Sequence, residues 1–284
     1  MPADPAAPRP PQDSPTRAMA RAGYEAVDGG AAARANAQWW SAESAGYLAE
    51  HGAFLGAADF CWCPEGLRED EAQLLGPLPR LRGSRVLEVG AGAAQCSRWL
   101  RARGVDAVAT DVAEGMLARS AELDAMTGVS VPTVLADARA LPFEDATFDL
   151  AFTAFGALPF VPDAVRVHAA VARVLRPGGR WVFSVPHPFR WAFPDDPTAH
   201  GLTVQRSYFD RTPYVERDVA GEPLYAEFHR TMGDHVRDVT AAGLVIEDLV
   251  EPEWPAWNKD LWGGWGPERG ALLPGTAIFR TRLP

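Results

Sequence analysis

The sequence predicts an α/β fold built on a doubly wound, mostly parallel sheet, and three observations carry that prediction. Residues 85–100, RVLEVGAGAAQCSRWL, read as a short apolar strand, a glycine turn and then a helix with Trp99 and Leu100 on its apolar face. From there to residue 185, strand patterns alternate with amphipathic helical ones, as parallel βαβ units require. After an irregular stretch, two more strand patterns follow, in GLVIEDLVE and TAIFRTR.

Taken in order, the first 36 residues are rich in Pro and Ala and lack a continuous apolar run, which predicts a disordered tail at 1–36 with neither a signal sequence nor a membrane span. Residues 37–82 predict an N-terminal helical cap. Trp40, Ser44, Tyr47 and Leu48 keep helical spacing, and a second helix starts near Pro64. Residues 83–284 form the main domain. Strands are expected at 85–89, 107–110, 131–135, 148–153 and 180–185, and helices at 94–103, 113–126 and 163–175. Residues 186–230 mix prolines, aromatics and charges without a period and predict an insertion above the sheet. A helix at 234–242 then leads to the two late strands. Between these lies a loop, 252–274, holding four of the ten tryptophans.

The balance of 27 basic against 37 acidic residues gives a net charge of −10, which argues against a nucleic-acid partner. At 47% apolar residues, 284 residues can bury a sizeable core. No apolar run approaches the roughly 18 residues of a membrane helix. Cys61, Cys63 and Cys96 offer neither a disulfide framework nor zinc-ligand spacing, so ordinary buried thiols in a reducing cytoplasm are expected and no metal is implied. The oligomeric state is left open, a homodimer included.

A glycine turn between strand and helix is shared by several nucleotide-binding sites, so its wording matters. No Lys-Ser/Thr pair follows, which excludes an ATP-binding P-loop. Glu88 ends the strand two residues before Gly90, where a carboxylate suits a ligand bearing a cation better than a pyrophosphate. Asp111 ends the next strand about 20 residues after the turn, the place from which an acidic side chain accepts ribose hydroxyls.

With LEVGAGAA, Asp111, ADARALPF, FDLAF and LRPGGRW in this order and spacing, the chain resembles class I S-adenosylmethionine-dependent methyltransferases of the small-molecule type. The resemblance covers about residues 83–185 in detail. It implies S-adenosylmethionine as cofactor and a seven-stranded sheet in the order 3-2-1-4-5-7-6, the last strand antiparallel. It also implies that Glu88, Gly90 and Gly92 line the methionine moiety and Asp111 holds the ribose. Met116 packs on adenine in this reading, Asp137 with Ala138 meets the adenine amino group, and Tyr47 closes over the cofactor. Thr153, after the fourth strand, is the polar candidate beside them.

On the acceptor side, His187 follows the fifth strand between two prolines. It reads either as a general base or as a histidine that hydrogen-bonds its own turn. Trp62, Phe155, Arg190, Tyr208 and Trp254 are the candidate acceptor contacts, with Trp39, Trp40, Trp257, Trp262 and Trp265 as further wall candidates. Tryptophan walls favour an aromatic or cationic acceptor, whereas Arg190, Arg206 and Arg211 suit an acidic one. The expected function is methyl transfer to O, N or C of a small molecule. RNA or a protein side chain as acceptor, or a non-catalytic cofactor-binding regulator, are the alternatives.

Overall fold

The computed structural model describes residues 18–284. The elements run β1 (Met19–Tyr24), α1 (Gly29–Leu55), α2 (Glu69–Ala72), α3 (Leu78–Leu81), β2 (Arg85–Val89), α4 (Gln95–Ala102), β3 (Asp106–Asp111), α5 (Glu114–Thr127), β4 (Thr133–Leu135) and β5 (Phe148–Ala154). They continue as α6 (Ala164–Val174), β6 (Leu175–Pro186), β7 (Tyr214–Asp218), β8 (Pro223–Glu227), α7 (Met232–Ala241), β9 (Val245–Val250), α8 (Pro267–Gly270) and β10 (Thr276–Arg282).

Seven strands form the main sheet in the order β4-β3-β2-β5-β6-β10-β9. Renumbered along the sheet, this is 3-2-1-4-5-7-6. β2 to β6 pair in parallel, and β10 is antiparallel to both neighbours. Successive apolar residues point to opposite faces, so each central strand feeds two cores. Leu87, Ala151, Phe183 and Phe279 join α6 and α7 on one face. Val86, Phe152, Val182 and Ile278 meet Phe60, Trp62 and Trp99 on the other. The ligand-binding edge follows from this topology, since β2 and β5 diverge at their carboxyl ends, where the strand order reverses.

Two expectations are corrected by the N-terminal region and the insertion. Of the tail expected at 1–36, residues 1–17 lie outside the described part, but residues 19–24 form a strand and α1 begins at Gly29. The insertion is not irregular throughout: β7 and β8 form a hairpin, and β1 pairs with β7 to make a second, three-stranded antiparallel sheet. β1 escapes a pattern search because MARAGY has no period-2 alternation, and its backbone pairing holds it instead.

α1 is capped by Asp28, which accepts the Ala31 amide at 2.8 Å. Its 27 residues span about 40 Å and bridge the two sheets. Asn36 clamps it to β8: its Nδ2 donates to Ala226 O at 2.9 Å and its Oδ1 accepts the Ala226 amide at 2.8 Å, while Nδ2 also reaches Phe160 O. At its middle the helix crosses the start of α5 so closely that a Cβ on Gly115 would stand 2.0 Å from Ser41 O. These contacts set α1 as a roof over the carboxyl edge of the main sheet.

Candidate active site

The turn after β2 takes three left-handed residues at alternate positions: Gly90 (φ 66°), Gly92 (φ 55°) and Ala94 (φ 56°). Gly90 is required by contact as well, because a Cβ there would stand 2.7 Å from Ala157 N. The loop after β5 lies directly against the turn and itself holds Phe155 (φ 61°) and Ala157 (φ 52°) in left-handed conformations. Strain of this kind concentrates at functional sites.

Ala94 gives α4 no side-chain cap, and Glu88 supplies one from the strand below. Its buried carboxylate accepts the Ser97 amide at 2.9 Å. Burial pushes the Glu88 carboxyl up to about 7, against the hydrogen bonds from Ser97 and the charge of Arg98. Asp111 is likewise buried and raised by burial, and backbone amides hold it on both oxygens, Gly92 at 2.7 Å and Ala113 at 2.9 Å. Asp137 behaves the opposite way. Burial raises it, but Arg139 grips it through its side chain (2.7 Å) and its amide (2.9 Å) and holds the carboxyl below its ordinary range.

These groups converge on a cavity of ≈ 180 Å³. Glu88, Gly90, Gly92, Asp111, Met116, Asp137 and Ala138 line it from the sheet side, and Trp40 and Tyr47 of α1 line it from above. Burial, then the nearby thiols, push the Tyr47 phenol well up, so it stays a hydrogen-bond donor. Cys61, Cys63 and Cys96 are buried and free, and Cys61 and Cys96 reach the lining. Thr153 is not among the lining residues: its hydroxyl sits under Gly156, without a hydrogen-bond partner among the described residues.

A second cavity of ≈ 360 Å³ adjoins the first, sharing Trp40, Tyr47, Phe155 and Phe160 as the partition. Phe155, Arg190 and Trp254 line it, together with Trp39, Trp262 and Trp265. Three expectations are corrected by placement. Trp62 is fully buried behind the sheet, where its Nε1 donates to Glu69 at 2.8 Å. Tyr208 packs among Phe189, Phe209 and His229, and its hydroxyl accepts the Met232 amide. His187 reaches neither cavity: Nδ1 accepts the Phe189 amide, Nε2 lies 2.9 Å from Glu251, and burial lowers its pKa. It holds its own turn, which is the second of the two roles its position suggested.

Sequence reasoning missed the most distinctive part of this second lining, Glu216, Tyr225 and Glu227. On β7 and β8, Tyr214 is opposite Glu227 and Glu216 opposite Tyr225, so the four share one face of the hairpin. Each tyrosine hydroxyl donates to the glutamate two residues on, Tyr214 to Glu216 at 3.0 Å and Tyr225 to Glu227 at 2.5 Å. The repeated Tyr-x-Glu in YVERD and PLYAE was the available signal. Arg190, expected to meet an acidic acceptor, is instead committed to Glu227. Burial opposes its charge, but Glu227 and Asp195 more than offset this and raise its pKa.

A family model described as a methyltransferase domain matches residues 86–179, the segment from β2 into β6. The demethylmenaquinone methyltransferase of Mycobacterium sp. (strain KMS) is 43% identical over 172 residues, covering 57% of this chain and 67% of that one. The chain belongs to the class I S-adenosylmethionine-dependent methyltransferases. Among solved structures, an S-adenosylmethionine-dependent methyltransferase from Mesorhizobium loti superposes with a TM-score of 0.55 at 26% identity, over 74% of this chain and 99% of that one. The Burkholderia thailandensis 1,6-didemethyltoxoflavin-N1-methyltransferase, 18% identical, shares the fold over 97% and 99% of the two chains with a TM-score of 0.52. The cofactor of this methyltransferase is therefore S-adenosylmethionine. The first cavity suits it, offering carboxylates to a molecule that carries a sulfonium and an ammonium, while the one guanidinium among its described lining residues, Arg139, is taken by Asp137.

Proposed function

We propose that this methyltransferase moves a methyl group to a small-molecule acceptor enclosed in the second cavity. The observation that carries the reading is the adjacency of the two cavities across Trp40, Tyr47, Phe155 and Phe160. S-adenosylmethionine, when bound, supplies a methyl carbon activated by its sulfonium. The protein's own residues do the rest. Glu88 would balance the ammonium, Asp111 would accept hydrogen bonds from the ribose hydroxyls, and Met116, Asp137 and Ala138 would hold the adenine. Trp40 and Tyr47 exclude water from above. What the chain would then contribute is alignment of the acceptor with that methyl carbon in a site these residues keep dry.

The small-molecule acceptors in the names of the mycobacterial and Burkholderia proteins support this class of substrate. The net charge of −10 and the acidic second cavity speak against RNA. A cytoplasmic site of action fits the free buried thiols. The test is incubation with methyl-labelled S-adenosylmethionine and, separately, a small-molecule library, total RNA and a protein extract. Label in the solvent-extractable small-molecule fraction is expected. Label in RNA or protein alone overturns the reading.

A further inference from the structure

The lining of the second cavity is unusual for a site meant to hold a neutral molecule. Glu43 apart, the described lining carries five carboxyl groups, Glu50, Glu65, Asp195, Glu216 and Glu227, against one guanidinium, Arg190. That guanidinium is held by Glu227 and faces Asp195, which also accepts the Gly264 amide on one oxygen and lies near Arg269, so a single guanidinium in the lining serves two of its carboxylates. His51 does not redress the balance, because burial lowers its pKa and its ring stacks on Trp262 at 4.1 Å and 17°. Glu216 is 4% exposed, with one oxygen taken by the Tyr214 hydroxyl and Glu227 close enough to repel it.

Two further features belong to a ligand site and not to a merely acidic patch. Trp265 is 5% exposed and Glu65 is 2% exposed; both line the cavity, and Trp265 Nε1 and Glu65 Oε1 have no hydrogen-bond partner among the described residues. Buried polar atoms left in this state call for a partner from outside the chain. Around them stand the faces and edges of Trp39, Trp40, Trp254 and Trp262, surfaces that attract cations as well as planar rings.

We infer that the acceptor is a basic small molecule, a planar apolar body between the tryptophans with a protonated amine held by Glu216 and Asp195. The inference rests on the second cavity being the acceptor site of the methyltransferase. It sets this chain apart from a neutral quinol as substrate, because a quinol supplies no cation to offset the desolvated carboxylates. Burial already raises the carboxyls of Glu216, Asp195 and Glu65, and a bound ammonium reverses that penalty.

The experiment titrates the full chain by calorimetry, first with S-adenosylhomocysteine and then, with that ligand saturating, with three matched triads. These are tryptamine, tryptophol and indole-3-acetate; phenethylamine, phenethyl alcohol and phenylacetate; and 2-naphthylmethylamine, 2-naphthalenemethanol and 2-naphthoate. Menadiol is the neutral quinol. In at least one triad the amine is expected to bind about tenfold or more tightly than its alcohol, its carboxylate and menadiol. Glu216→Gln and Asp195→Asn are expected to erase that preference while leaving S-adenosylhomocysteine affinity unchanged, which also reports that the variants fold. No amine preference in any triad, binding of none of the compounds, or a preference that survives both substitutions overturns the inference while the methyltransferase reading stands. Failure of S-adenosylhomocysteine to bind overturns both.

Discussion

Glu88 does two jobs that pull in opposite directions. Its carboxylate caps α4 and lines the cofactor cavity, yet burial lifts its pKa to about 7, well above the ordinary glutamate value. A carboxyl raised on folding contributes stability that is fully present below its unfolded pKa and lost as the pH rises through about 7. Glu88→Gln keeps an acceptor for the Ser97 amide without the charge. It is therefore expected to stabilise the ligand-free protein at pH 8 by up to about 3 kcal/mol, with little effect at pH 4, as read by urea denaturation. Cofactor binding is expected to respond with the reverse sign. Because the ligand's ammonium favours the ionised carboxylate, S-adenosylhomocysteine affinity rises with pH toward a plateau above about 7, by at most about tenfold per pH unit. In Glu88→Gln the affinity is low and the slope is flat. A steep slope in that variant assigns the titration to another group.

At the scale of elements, α1 decides whether the two cavities exist, since its aromatic residues wall both. Two contacts within a turn of those aromatics hold it in place. Asn36→Ala removes three hydrogen bonds, two of them buried, and orphans both backbone groups of Ala226, an expected loss of about 2–4 kcal/mol by chemical denaturation. Gly115→Ala forces α1 off α5, because Ser41 O cannot yield to a Cβ at 2.0 Å. A cost of about 1–3 kcal/mol is expected, with faster amide exchange along α1 and weaker S-adenosylhomocysteine binding while the main sheet stays protected. Unchanged exchange in α1 contradicts its role as a roof held by that crossing. Little of this was visible in the sequence. The helical spacing of Trp40, Ser44, Tyr47 and Leu48 marks a helix, but Asn36 and Gly115 become meaningful only once residues 190 and 74 positions away are brought against them.

For the whole molecule, the main sheet was legible because each strand carries its own signal. The strands at Arg85–Val89 and Thr276–Arg282 lie where their apolar patterns place them, and the strand order is the one the family resemblance implies. The cofactor cavity was legible for the same reason, since its turn and its acidic strand ends are local features. The second sheet and the acceptor cavity were not. β1 is held by its pairing with β7 and by Tyr24, which packs edge-on to Trp191 and Tyr214, and the acidic lining is assembled from α1, the loop before α2, the insertion and the β7–β8 hairpin. No periodicity within one segment reports such an assembly. His187 and Tyr208 look chemically able in the sequence, but the fold spends them on a turn and on the start of α7. The central claim is that the turn after β2, with Glu88 and Asp111, forms an S-adenosylmethionine site. Calorimetric titration with S-adenosylhomocysteine, beside NADH, tests it most directly. The account predicts saturable binding of S-adenosylhomocysteine at one site per chain, no heat with NADH, and loss of binding in Asp111→Ala; binding of NADH instead, or of neither ligand, contradicts it.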